Sequence, residues 1–97
     1  MAVRHVVWLK FRDGIDPARI DEHMQACRAL AGQVPAAITV ECGANFTDHA
    51  GGFTHCIIAS LADRHALPAY LEHPAHRTVG EALRADASAL RVMDVEI

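Results

Sequence analysis

A basic excess, long apolar runs and paired cysteines are all missing from this chain of 97 residues. Nine Lys and Arg against twelve Asp and Glu leave a net charge of -3. There is thus no cationic patch to draw nucleic acid or an anionic membrane surface. No apolar stretch nears the roughly 18 residues that cross a bilayer, and the N-terminus reads as the start of a strand rather than a signal peptide. Cys27, Cys42 and Cys56 are odd in number, far apart and without a Cys-x-x-Cys pair. That excludes disulfide and zinc-finger frameworks and points to reduced thiols in a cytoplasmic protein. Aromatics are sparse: one Trp, one Tyr and three Phe. With 52% hydrophobic and 22% charged residues the composition is that of a globular chain, and the length suits one domain over residues 1–97.

What the chain has in excess is histidine, seven in all. Tyr70-Leu71-Glu72-His73-Pro74-Ala75-His76 packs a phenol and two imidazoles around a proline. A phenol beside an imidazole can form a general acid–base pair, since imidazole titrates near neutrality. The plain alternative is a helix-start proline with incidental histidines. Position along the chain has to decide.

Arg4 to Phe11 is β-branched and aromatic and ends at the turn signal Asp13-Gly14. At a period of two, His5, Val7, Leu9 and Phe11 share one face, and Arg4, Val6, Trp8 and Lys10 the other. Both faces carry large apolar groups, so both are expected to be covered. Asp16 and Pro17 open a helix as N-cap and first position, and Ile20, Met24, Cys27, Leu30 and Val34 form its buried stripe. Gly32 and Pro35 close it. A second strand is expected over residues 38–46, a Gly-rich turn over 48–52, and a central, very apolar strand over 53–61. Pro68 and Pro74 interrupt the next helical region; the segment from Pro74 to Ser88 places His76, Val79 and Leu83 on one inward face. Leu90 to Ile97 alternates as a last strand.

The order β-α-β-β-α-β predicts an α+β, ferredoxin-like fold: a four-stranded antiparallel sheet with its helices on one side. In that topology His5 and His55 lie on adjacent central strands, and they are expected to meet Tyr70 and His76 in one cleft. Asp94 joins them if the last strand turns that face toward the helices. Such a set is either a structural hydrogen-bonded network or a site with shifted pKa values that moves protons. The cleft wall would be Val7, Leu9, Met24, Cys27, Ile57, Val79 and Leu83. A metal is the further possibility, since His73 and His76 stand at i, i+3 and His5, His55 and Asp94 could complete a set. Pro74 disturbs that helix start and no carboxylate accompanies the pair, so no metal is expected. His23, His49 and His65 read as solvated.

Val3 to Phe11, Phe53-Thr54-His55, Tyr70-x-x-His73-Pro74-x-His76 and Val92-Met93-Asp94 together resemble the stress-responsive A/B barrel (Dabb) domain family, over essentially the whole chain. The resemblance implies a homodimer, the two sheets facing each other as a dimeric α+β barrel. A partner subunit would then cover Val6, Trp8, Met93, Val95 and Ile97. Plant polyketide-cyclase members of the family close a linear tetraketide by an intramolecular aldol reaction without a cofactor. Their functional residues fall on His5, His55, Tyr70, His76 and Asp94, with Tyr70 and His76 as the catalytic pair; in an enzyme of that kind His5 and His55 here would hold the developing oxyanion or the carbonyl. Met24, Cys27 and the small residues Ala82, Ala85 and Ala87 stand where those cyclases are bulkier, which implies a different ligand. Three readings therefore stand side by side. The first is a cofactor-free cyclase- or lyase-type acid–base enzyme acting on a polyketide-like molecule. The second is a non-catalytic dimeric stress-response or small apolar ligand-binding protein. The third, a cofactor-independent oxygenase, rests on fold analogy.

Overall fold

A computed structural model describes residues 1–97. β1 (Val3–Phe11) is followed by α1 (Pro17–Gln33), β2 (Thr39–Ala44), β3 (His55–Leu61), α2 (Ala66–Glu72), α3 (Pro74–Asp86) and β4 (Ala87–Glu96). The strands form one antiparallel sheet in the order β2-β3-β1-β4. This is the ferredoxin-like arrangement that the alternating and helical periods predict.

Local chemistry explains the boundaries. The Asp16 carboxylate accepts from the Ala18 N–H at 2.9 Å, and Pro17 fills the first position of α1. Pro74 divides the second helical region into two helices, as its place in the sequence predicts. Pro68 falls in the first turn of α2, where its missing N–H removes no hydrogen bond. At the end of α2, His73 takes an extended conformation ahead of Pro74 and starts α3, its Nδ1 accepting from the Ala75 N–H at 3.0 Å. α3 ends at Asp86 and β4 begins at once with Ala87, earlier than the expected Leu90. The strands β2 and β3 are shorter than their apolar runs because pairing stops at Ala44 and His55. Positive φ is confined to Gly14, Gly51 and Gly52 in the two turns.

Val3, His5, Val7, Leu9 and Phe11 are all buried against the helix layer. Met24, Cys27, Leu30 and Val34 from α1, Ile57, Ala59 and Leu61 from β3, and Tyr70 and Leu83 from the last two helices complete the core. The other sheet face carries no helix, and the molecule is only 16 Å in its shortest dimension. On that bare face Val6, Trp8, Phe53 and Met93 line an apolar groove of about 410 Å³, with Met93 66% exposed. The free monomer therefore covers one side of β1 only.

Candidate functional site

Three aromatic rings meet beneath α2 and α3. The first is Tyr70 at the end of α2, only 2% exposed. The second is His76 in the first turn of α3, its ring centroid 4.6 Å from that of Tyr70. The third is His5 on β1, 5.8 Å from Tyr70 and 6.3 Å from His76, both edge-on. The kink at His73 and Pro74 is what lets two side chains from successive helices converge on one ring of the sheet.

Hydrogen bonds fix the roles of the nitrogens. His76 Nδ1 lies 3.1 Å from the Leu71 carbonyl, which only accepts, so Nδ1 carries the proton and Nε2 keeps its lone pair. Burial is the main force holding His76 below its ordinary value of 6.5; the Leu71 hydrogen bond opposes it, and the charges of His5 and Arg84 add to it. His76 is therefore a neutral imidazole at pH 7 with a free basic nitrogen. His5 Nδ1 is 2.5 Å from Asp94 Oδ1, and β1 and β4 pair these two residues directly. The carboxylate accepts, so its partner nitrogen is the donor. Burial pushes the Tyr70 phenol up to about 12, which keeps it protonated across the useful pH range. Its hydroxyl is a donor in waiting.

A cavity of about 40 Å³ lies among these rings, closed by Val7, Cys27, Ile57, Val79 and Leu83. Leu30 and Gly80 complete its lining. By the requirement of about 10–15 Å³ per water, it holds around three water-sized groups. The arrangement can take a carbonyl-sized head, remove a proton from it at His76 Nε2 and donate hydrogen bonds to it from Tyr70. It is too small for a whole tetraketide.

The expected residues do not all gather here. His5, Tyr70, His76 and Asp94 do. His55 does not: β3 pairs it with Leu9, while His5 pairs with Ala59. Four residues of strand, about 13 Å, separate the two imidazoles. The expectation that His5 and His55 share a cleft is corrected by that register. His55 instead packs edge-on against Phe11 at 5.2 Å, and its Nδ1 shares a hydrogen bond of 2.9 Å with the Thr54 hydroxyl. Of the expected cleft wall, Leu9 is sealed in the core, and Met24 borders a shallow groove beside His55. His73 is a cap. No three His, Cys, Asp or Glu side chains converge as metal ligands do.

His23, read as solvated, is 4% exposed. Its Nε2 lies 2.6 Å from Asp86 Oδ2, and its ring stacks on Phe11 at 5.6 Å. Arg19 and Arg12 also reach Asp86, at 3.0 and 3.4 Å, and with His23 they hold its carboxyl down at about 2. A signal for His23 existed, because it stands three residues after Ile20 and four before Cys27, on the apolar stripe. Gly80 had one too, four residues after His76 on the same face of α3.

The chain is 35% identical over 96 residues to an uncharacterized protein of Streptomyces coelicolor, covering 97% of this chain and 98% of that one. It is 30% identical over 96 residues to olivetolic acid cyclase of Cannabis sativa, covering 97% and 95% respectively. Among solved structures, a dimeric ferredoxin-like protein of unknown function from Jannaschia superposes with a TM-score of 0.86 at 26% identity, over all of both chains. Hydroxynitrile lyase from Passiflora edulis superposes with a TM-score of 0.92, covering 99% of this chain and 93% of that one. At 18% identity that last likeness is one of fold. Residues 3–97 match the family described as Stress responsive A/B Barrel Domain, and the chain belongs to that family.

Proposed function

We propose that this chain is a homodimeric, cofactor-free acid–base enzyme that removes a proton from carbon next to a carbonyl. The observation that carries the reading is His76: neutral, with Nδ1–H tied to the Leu71 carbonyl and Nε2 left free beside Tyr70. In this reading Nε2 takes the proton as the C–H bond breaks, and its electron pair moves onto the carbonyl oxygen as an enolate. The Tyr70 hydroxyl donates a hydrogen bond to that oxygen, and His5, held by Asp94, supplies a second polar group. The 30% identity to a cyclase supports the reading, and so does the convergence of Tyr70, His76 and Asp94 on His5. The small cavity favours the reacting end of a compact or partly exposed molecule over a buried tetraketide. The dimer is supported by the bare apolar face and by dimeric structural relatives. The odd, dispersed cysteines keep the cytoplasmic assignment.

One observation favours a second reading, a non-catalytic dimer in which the rings are a structural network: the cavity of about 40 Å³. The α-hydrogen exchange of acetylacetone in D₂O, above its uncatalysed rate, separates the two. Under the enzymatic reading His76→Gln and Tyr70→Phe lower that rate by about 10²-fold or more while the melting temperature shifts by a few degrees at most. Exchange that is equally fast in both variants, or a fall in stability with no exchange in the parent, supports the structural network instead.

A further inference from the structure

Gly80 sits in the middle of α3, where glycine costs about 1 kcal/mol relative to alanine. Packing does not require it. A Cβ there would meet the Arg84 Nη1 at 3.7 Å and the His76 Cε1 at 4.0 Å, both ordinary contacts. The missing side chain instead leaves a notch whose two walls are the guanidinium of Arg84 and the imidazole of His76. The notch opens into the reactive cavity, since Gly80 is one of its lining residues.

Arg84 is also free. Arg12 and Arg19 hold Asp86, and Arg64 holds Glu96, but the Arg84 side chain makes neither an ion pair nor a hydrogen bond. Side chains on a helix lean back toward its N-terminus, which is what brings the guanidinium over Gly80 one turn earlier. Its charge is close enough to be among the causes that keep His76 neutral.

We infer that Arg84 binds the carboxylate of a small β-keto acid whose carbonyl end enters the cavity over Gly80. Two observations fix that class. The cavity admits a head of about three heavy atoms, so the remainder of the molecule must stay at the rim. Beside Gly80, 3.7 Å from where its Cβ would stand, is the Arg84 guanidinium, a planar, permanently charged fork that matches a carboxylate through two parallel hydrogen bonds. The inference rests on the acid–base reading of the same cavity and adds to it the choice of substrate.

The test is titration of the protein with acetoacetate, acetylacetone and inorganic phosphate, followed by the imidazole resonances of His76. Acetoacetate is expected to shift them saturably and to bind more tightly than either of the others. Arg84→Gln should weaken acetoacetate about tenfold or more, the usual cost of losing a charged hydrogen-bond partner, and Arg84→Lys should recover part of it. Gly80→Ala should raise the melting temperature yet weaken acetoacetate, an opposition that a purely structural glycine does not give. The inference is overturned if acetoacetate fails to saturate, if acetylacetone or phosphate binds as well, or if Arg84→Gln leaves its affinity unchanged. Exchange of acetylacetone hydrogens separates this from the proposed chemistry. Exchange that needs His76, with acetoacetate binding indifferent to Arg84, overturns the substrate assignment alone. Binding that depends on Arg84, with no exchange of either compound, supports the carboxylate site and removes the base.

Discussion

Residue 76 shows how a single backbone carbonyl can set chemistry. Were the Leu71 oxygen elsewhere, the imidazole could carry its proton on either nitrogen; at 3.1 Å it fixes the proton on Nδ1. Burial then disfavours the charged form, so the base is ready without first losing a proton. Tyr70 is tuned the opposite way, its phenol kept protonated up to about 12. The activity should therefore fall only as pH drops through a His76 pKa below 6.5, and stay level through pH 10 because the phenol has not ionised. A pH–rate profile of acetylacetone exchange, expressed per un-ionised diketone, checks this; a decline of that normalised rate between pH 8 and 10 would contradict the role given to Tyr70. The depressed His76 value carries a stability consequence of the same sign. The unfolded chain binds that proton more readily than the folded one, so stability is lost as pH falls below about 6.5.

At the scale of elements, two His–Asp pairs tie the helix layer and the last strand to the sheet. His5–Asp94 joins β1 to β4, and His23–Asp86 joins α1 to the end of α3. The second is braced by Arg12 and Arg19 and by the Phe11 ring, yet faces no reactive cavity, so its part is to hold α3 in place. His23→Ala is expected to cost about 1–3 kcal/mol by leaving Asp86 short of a buried partner, and thermal melting of the variant checks it. Acetylacetone exchange should be little affected at temperatures where the variant is folded. Much of this level was readable from the chain. The N-cap at Asp16, the strand faces of β1 and the inward stripe of His76, Val79 and Leu83 follow from local periodicity. Register did not, because it depends on hydrogen bonds between strands far apart in sequence, and a shift along the strand moved His55 out of the cluster. The Asp86 network escaped for the same reason: Arg12, Arg19, His23 and Asp86 meet only when α1, β1 and α3 have packed.

For the whole molecule, the one-sided sheet is the dominant fact. Val6, Trp8, Phe53 and Met93 present an apolar surface in a molecule 16 Å across its shortest dimension, and exposed area of that kind is what the proposed second copy would cover. The sequence carried this signal in the two apolar faces of β1, though only the folded sheet shows which face is left bare. Met93→Lys combined with Val95→Lys places two charges on that face without touching the core. Sedimentation should report a dimer for the parent and a monomer for the double variant; a variant that sediments as the parent does would show that the subunits meet elsewhere.

The account turns on one nitrogen. The ¹⁵N chemical shifts of His76, followed from pH 8 to pH 5, read its tautomer and its titration directly. The account predicts a protonated Nδ1 and an unprotonated Nε2 at pH 7, with a midpoint below 6.5. An imidazolium at pH 7, or a neutral ring with its proton on Nε2, would contradict it.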